Sequence, residues 1–280
     1  ALEPLLITQL EGDPNSAVSA AYVSGSVIRG ALAARYLPKP DFDLAGDAQG
    51  RRLFFDGSTR YLNAYPLDRW EKRTLPAPLA WFYEKGQGPD QDDATLYDFS
   101  QPAEHDLVQP KGLKGGFCRL DETQVEFVRS RRQINIHTAR ERVKGRATEE
   151  EGAVFRYEAL ARGERFGGVI LVANRKDAET LQELLGDGDL WLGGSRSAGY
   201  GRSRISEPEI VDPWTETGQP LADQAPGAPL TLTLLSDALV RDPQGAYADN
   251  LAAALLPAPL DEALTLQRTF KRVAPLGGFN

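Results

Sequence analysis

Apolar and polar positions along the chain change period several times, and each change marks an element. "PLLITQL" (4–10), mostly apolar and of strand length, reads as a short buried strand. "SGSVIRGALAARYL" (24–37) turns helical: Val27, Leu32 and Tyr36 fall near one face, Ser24 or Ser26 can cap, and prolines at 38 and 40 end it. "RLFFDGSTRYLNAYPL" (52–67) reads as a hairpin about the "DG" turn. "TQVEFVRSRRQINIH" (123–137) alternates as a strand running into a basic segment. "AVFRYEAL" (153–160) and "RFGGVILVAN" (165–174) read as a strand pair across "ARGE". "DAETLQELLG" (177–186) is a helix, with Asp177 as its expected cap and Gly186 closing it, and "RSRISEPEI" (202–210) is a last strand.

The order strand, helix, strands, helix, strand is that of an α+β, RRM-like (ferredoxin-like) βαββαβ domain with large insertions. It is expected over residues 1–211. Residues 68–118, rich in proline, glycine and acid and without a sustained period, form the main insertion, expected to be a surface excursion. "DPWTETGQPLADQAPGAP" (212–229) reads as a linker. Residues 230–280 read as a second strand-rich unit, RRM-like by position and incomplete.

Bulk composition narrows the function classes. With 280 residues, 41% hydrophobic and 26% charged, the chain has the profile of a soluble globular protein. No apolar run approaches a membrane span, and "ALEPLLITQL" lacks the basic start of a signal peptide, so no membrane partner and a cytoplasmic location are expected. One cysteine, Cys118, rules out an internal disulfide and a cysteine-based metal site within the chain. The lack of any methionine, even at the start, and the abrupt end at "RTFKRVAPLGGFN" are expected of a sequence that omits residues. A net charge of −8 argues against nucleic acid as an average, but the acid is concentrated in "PDQDDATLYD" (89–98) and "ATEEEG" (147–152), leaving room for one basic groove.

Three segments could line such a groove. In "LWLGGSRSAGYGRSRI" (190–205), Gly193, Gly194, Gly199 and Gly201 would let a phosphodiester approach the backbone. Arg196 and Arg202 would supply forked donors, Ser197 a hydroxyl and Tyr200 a stacking face. The spacing fits neither a P-loop nor a dinucleotide fingerprint; the competing reading is a tight helix-to-strand connection with solvated arginines. Ser24, Gly25 and Ser26 open a helix whose free amides attract phosphate, with Arg29 one turn in and Arg35 further along; an ordinary helix start competes. "RSRRQINIHTARERVKGR" (129–146) concentrates cations, among them Arg140, Arg142, Lys144 and Arg146, around His137, with Ile134 and Ile136 expected to pin it to the body. A ribbon over a phosphate groove competes there with a solvated charge run.

Support for catalysis is thin. His137 could act as a general base toward a ribose 2′-hydroxyl, though direct phosphate contact is the commoner role for such a histidine. His105 lies in the acidic insertion and is expected at the surface. Asp13 in "EGDPNS" could hold a metal-bound water, while an Asp-Pro turn is the plainer reading. No cluster has metal-ligand spacing.

Together these segments resemble a known family. "YVSGSVIRGALAARYL" resembles its "pGSxxRGALA" helix start, and "LGGSRSAGYGR" resembles the glycine-rich loop that marks the RAMP superfamily of CRISPR proteins. With "FFDGSTRYLNAYPL", "KGGFC", "INIHTARERVKGRA" and "AVFRYEAL" in order, the chain looks like the large RAMP subunit of type III-D loci (the Csx-ten family), from residue 4 to about 210 and again at "RTFKRVAPLGGFN". The resemblance implies RRM-like folds and a place in a multisubunit effector, with crRNA, target RNA and other effector subunits as partners. It implies that Ser26, Arg29 and the glycine loop hold the crRNA backbone and that residues 129–146 form a thumb-like element. Related backbone subunits cut target RNA with an aspartate before the helix, which matches Asp13 and would require Mg. Cas-five-like subunits that cap the crRNA 5′ handle lack that activity, and the long insertion and second unit fit this role better. A crRNA-processing nuclease using His137 is the remaining enzymatic alternative. No cofactor is expected of the capping subunit.

Overall fold

A computed structural model describes residues 1–8, 16–37, 43, 45–89, 91, 94–121, 124–138, 154–212, 214, 225, 227–242, 244–248 and 268–272. The fold is mixed α+β, with many short strands and, among the described residues, three α-helices. The chain divides into two compact units, one of residues 1–74, 119–216 and 276–280, the other of residues 75–118 and 217–275.

In the first unit, helix α1 (Gly25–Tyr36) follows the sequence closely. Leu32 is fully buried, and Ile28 and Ala31 sit against two hydrophobic clusters at once, so helical spacing here serves burial on two sides. Helix α2 (Ala48–Phe54) begins at Asp47, whose carboxylate accepts from the Gly50 amide. It consumes the "RLF" expected to start a hairpin, because Leu53 and Phe54 are needed in the core beside Leu32. At "DG" the chain bends, with Gly57 at φ +82° and the Ser58 amide donating to Asp56 Oδ1 at 2.9 Å, but no hairpin closes across it. The two short strands after it do not pair with each other. Arg60–Tyr61 pairs with Ile170–Leu171 and Tyr65–Pro66 with Phe166–Gly167, both antiparallel.

The expected pairing across "ARGE" is likewise replaced. Val154–Leu160 is the centre of a three-stranded sheet, antiparallel to Arg132–Thr138 and parallel to Ser16–Val18. The basic segment's strand is therefore separate from Gln124–Val128 before it. Leu5 exchanges backbone hydrogen bonds with Leu160 (2.9 and 3.0 Å), and the Gly201 amide donates to the Pro4 carbonyl (2.9 Å). Residues 4–6 thus run beside the end of the central strand and the start of Arg202–Arg204, a three-residue strand where a longer one was expected. That strand pairs with Asp189–Trp191.

Helix α3 (Arg175–Gly186) is capped by Asn174, not Asp177. The Asn174 side-chain Oδ1 accepts from the Asp177 amide at 2.9 Å. Asp177 lies inside the first turn, buried, where Arg52 Nε and Nη2 donate to its two oxygens, each at 3.0 Å.

In the second unit, Trp81–Glu84 runs between Tyr97–Asp98 and Pro110–Gly112. His105 packs half-buried against Phe99 (ring centroids 4.4 Å apart) and Tyr97 (5.7 Å) instead of projecting from the surface, because the aromatic side chains of this small sheet need covering. Burial pushes the Cys118 thiol up to about 11. Of residues 230–280, the described ones contribute one ladder, Val240–Arg241 with Tyr247–Ala248.

Candidate RNA-binding groove

The glycine-rich loop is anchored by the backbone on both sides. Gly194 N donates to Leu6 O (2.9 Å), Leu192 N to Gly201 O (2.8 Å), and a 3-10 turn spans Arg196–Ala198 between them. Gly193, at φ +84°, lies so close to Leu6 that a Cβ would collide with the Leu6 carbonyl; it is glycine for packing. A Cβ at Gly194 would meet nothing nearer than 3.9 Å and one at Gly199 nothing within 4 Å, so both faces are open to a visitor although both amides are already bonded, to Leu6 and Arg196.

Facing this loop is α1. Val27, Gly30, Ala31 and Ala34 from the helix, with Thr8, Trp191, Gly193 and Gly194, line a groove of about 380 Å³. One face of α1 and the first two glycines of the loop therefore share one trough, while Ser24, Gly25, Ser26 and Arg29, singled out in the sequence, do not line it. Trp191 is 38% exposed at its rim, and the Arg196 guanidinium carbon lies 4.0 Å above its ring centroid. Arg196 and Arg29 are both exposed and have no carboxylate partner among the described residues. Ser197 is exposed beside Arg196.

Other residues expected to meet RNA are engaged internally. Arg35 donates from Nη1 to Leu184 O and from Nη2 to Asp189 O, both at 2.5 Å, filling acceptors at the end of α3 and just beyond it. Arg202 and Arg204 both donate to the Asp189 carboxylate (2.7 and 2.9 Å), holding it below its ordinary value. Gly25 is buried, its amide donates to Asn63 Oδ1 (3.0 Å), and a Cβ there would strike the Tyr61 backbone. Ser24 makes no side-chain cap bond. Its hydroxyl meets that of Ser26 at 3.0 Å, and Ser26 is exposed.

Tyr200 is 2% exposed and cannot offer a stacking face. Its hydroxyl instead accepts from Asn135 Nδ2 (2.7 Å) and meets His137 Nε2 (2.8 Å), and its ring packs edge-on to Tyr157. With the Asn135 amide donating, the phenol proton is available to His137 Nε2. This network, not the isoleucines, fastens the basic segment's strand. Ile134 and Ile136 are 55% and 72% exposed, because the register turns Asn135 and His137 toward Tyr200 and the isoleucines the other way. Arg131 and Arg132 at the strand's start pair with Glu164 (2.7 Å) and Glu158 (3.1 Å). Asp13, Arg140, Arg142, Lys144 and Arg146 lie outside the described residues.

Trp191 and Thr8 escaped the sequence reading. The signal for Trp191 was an aromatic residue at the mouth of a glycine loop, five residues before an arginine; Thr8 carried none. Among the described residues no group of three His, Cys, Asp or Glu is placed to hold a metal, and no helix is long and apolar enough to cross a membrane.

A family model for the RAMP superfamily matches residues 8–204. No match was found among curated proteins. Among solved structures, one similar chain comes from a cryo-EM structure of the type III-B Cmr-beta complex bound to cognate target RNA and AMPPnP. It shares 14% identity over 75% of this chain, with a TM-score of 0.38, and this chain spans 62% of its length.

Proposed function

We propose, from the premise that this chain belongs to the RAMP superfamily, that it is an RNA-binding subunit of a type III CRISPR effector complex. In this reading it holds the crRNA backbone or 5′ handle in the groove between α1 and the glycine-rich loop, with target RNA and other effector subunits as further partners. The observation that carries it is the trough that Val27 and Gly30 share with Gly193 and Gly194, with Arg196 over its Trp191 rim and Arg29 in the hollow across Gly30, both exposed and without a carboxylate partner among the described residues. In a chain of net charge −8, Arg29 and Arg196 are exposed and have no carboxylate partner among the described residues, and they sit next to the exposed glycines of α1 and the loop, the pairing a phosphodiester needs. The hydrogen bonds of Leu5 to Leu160 and of Pro4 to Gly201 support an RRM-like strand order for the first unit.

The test is binding of a fluorescein-labelled single-stranded RNA to the full chain by anisotropy. Arg29→Glu with Arg196→Glu should weaken binding at least about tenfold, the worth of one charge-assisted hydrogen bond. Thermal stability should fall only slightly, since neither side chain has an ion-pair partner to lose among the described residues and the Arg196–Trp191 contact is at an exposed site. Undiminished affinity in the double variant would remove the groove from RNA recognition.

A further inference from the structure

Gly30 sits in the middle of α1, where glycine is the least favourable residue after proline, yet a Cβ there would meet nothing within 4 Å. Packing among the described residues does not require it. The same residue borders two grooves. On one side is the trough with Trp191; on the other is a hollow of about 310 Å³ lined by Arg29, Ala33, Leu37, Phe54 and Phe55. Each hollow carries one exposed aromatic ring, Trp191 at 38% and Phe55 at 54%; Arg196 lies over the first ring and Arg29 lines the second hollow, neither with a carboxylate partner among the described residues. Exposed aromatic rings beside free cations, joined across a bare saddle of helix, match the repeat of a single-stranded nucleic acid, in which flat bases alternate with charged phosphates.

We infer that a single RNA strand crosses α1 at Gly30 and that one unstacked base lies against Trp191, with Arg196 over the same indole. The neighbouring nucleotide passes Gly30 toward Arg29 and Phe55. Thr8, exposed in the Trp191 groove, is the hydroxyl within that hollow to meet a base edge. The inference rests on the RNA-binding reading above and adds to it the chemical feature recognised, a base face, and the track the strand follows.

The experiment compares fluorescein-labelled oligouridylate with the same ribose-phosphate oligomer carrying abasic positions, binding to the full chain. Trp191→Ala should weaken oligouridylate binding about tenfold while Trp191→Phe keeps most of the affinity, and the two variants should bind the abasic oligomer alike. Gly30→Gln, a better helix former in open space, should raise the melting temperature yet weaken RNA binding. If Trp191→Ala and Gly30→Gln both bind as wild type while Arg29→Glu with Arg196→Glu does not, the base site is overturned and the RNA-binding reading stands. If the unmodified chain binds neither oligomer, both fall.

Discussion

Gly193 and Gly194 are neighbours with different obligations. The first needs a left-handed backbone and contact with Leu6 that leaves no room for a methyl; the second has an ordinary φ and open space. Gly193→Ala should therefore cost about 2 kcal/mol in urea denaturation, through backbone strain and the collision. Gly194→Ala should leave the denaturation midpoint unchanged and lower RNA affinity, as read by anisotropy. The sequence cannot separate them, because a glycine kept for its neighbour and one kept for a visitor are the same letter. Tyr200 carries the converse lesson: an aromatic residue in a glycine loop suggests a platform, and burial turns it into an anchor.

Among elements, the junction of α2 and α3 depends on one buried carboxylate. Asp177 accepts from Arg52, Gln49 and Asn174, and the Arg52 bond is the main reason its carboxyl lies below the ordinary 3.8. A depressed carboxyl stabilises the fold above its unfolded value and loses that contribution as pH falls through the lowered folded value. Asp177→Asn should therefore destabilise the protein by about 2 kcal/mol at neutral pH, toward the lower end for a charged bond because Arg52 is partly exposed. The gap between the two urea midpoints should close in strong acid. Two of the three helices among the described residues were legible in the sequence: α1 declares itself through spacing, and α3 through its leucines and closing glycine. The ladders were not. Arg60–Tyr61 finds its partner at Ile170–Leu171, more than a hundred residues on, and no local pattern names that partner. The aromatic run "RLFF" looked like strand because β propensity measures fit to a half-buried surface, which a short helix in a core also provides.

For the molecule as a whole, the balance of charge decides how any RNA is held. Arg35, Arg131, Arg132, Arg202 and Arg204 are committed to internal acceptors, so the count of basic residues overstates the cations on offer. Binding should still weaken steeply with salt, and each charge removed at Arg29 or Arg196 should flatten the logarithmic slope by about 0.7, the single-strand value per phosphate contact. An anisotropy titration across ionic strength reads this directly, and a slope indifferent to both changes would mean that neither arginine touches phosphate. The trough was legible as two motifs but not as one place, since only folding brings α1 against residues 193–194.

One phenol oxygen has a consequence for anyone rebuilding this molecule. Tyr200 belongs to the loop, while Asn135 and His137 that grip it belong to a hairpin strand some sixty residues earlier. Transplanting residues 192–201 into a cousin, or shortening the hairpin, would sever that clasp and strand a hydroxyl in the interior. Grafts should move all three side chains together.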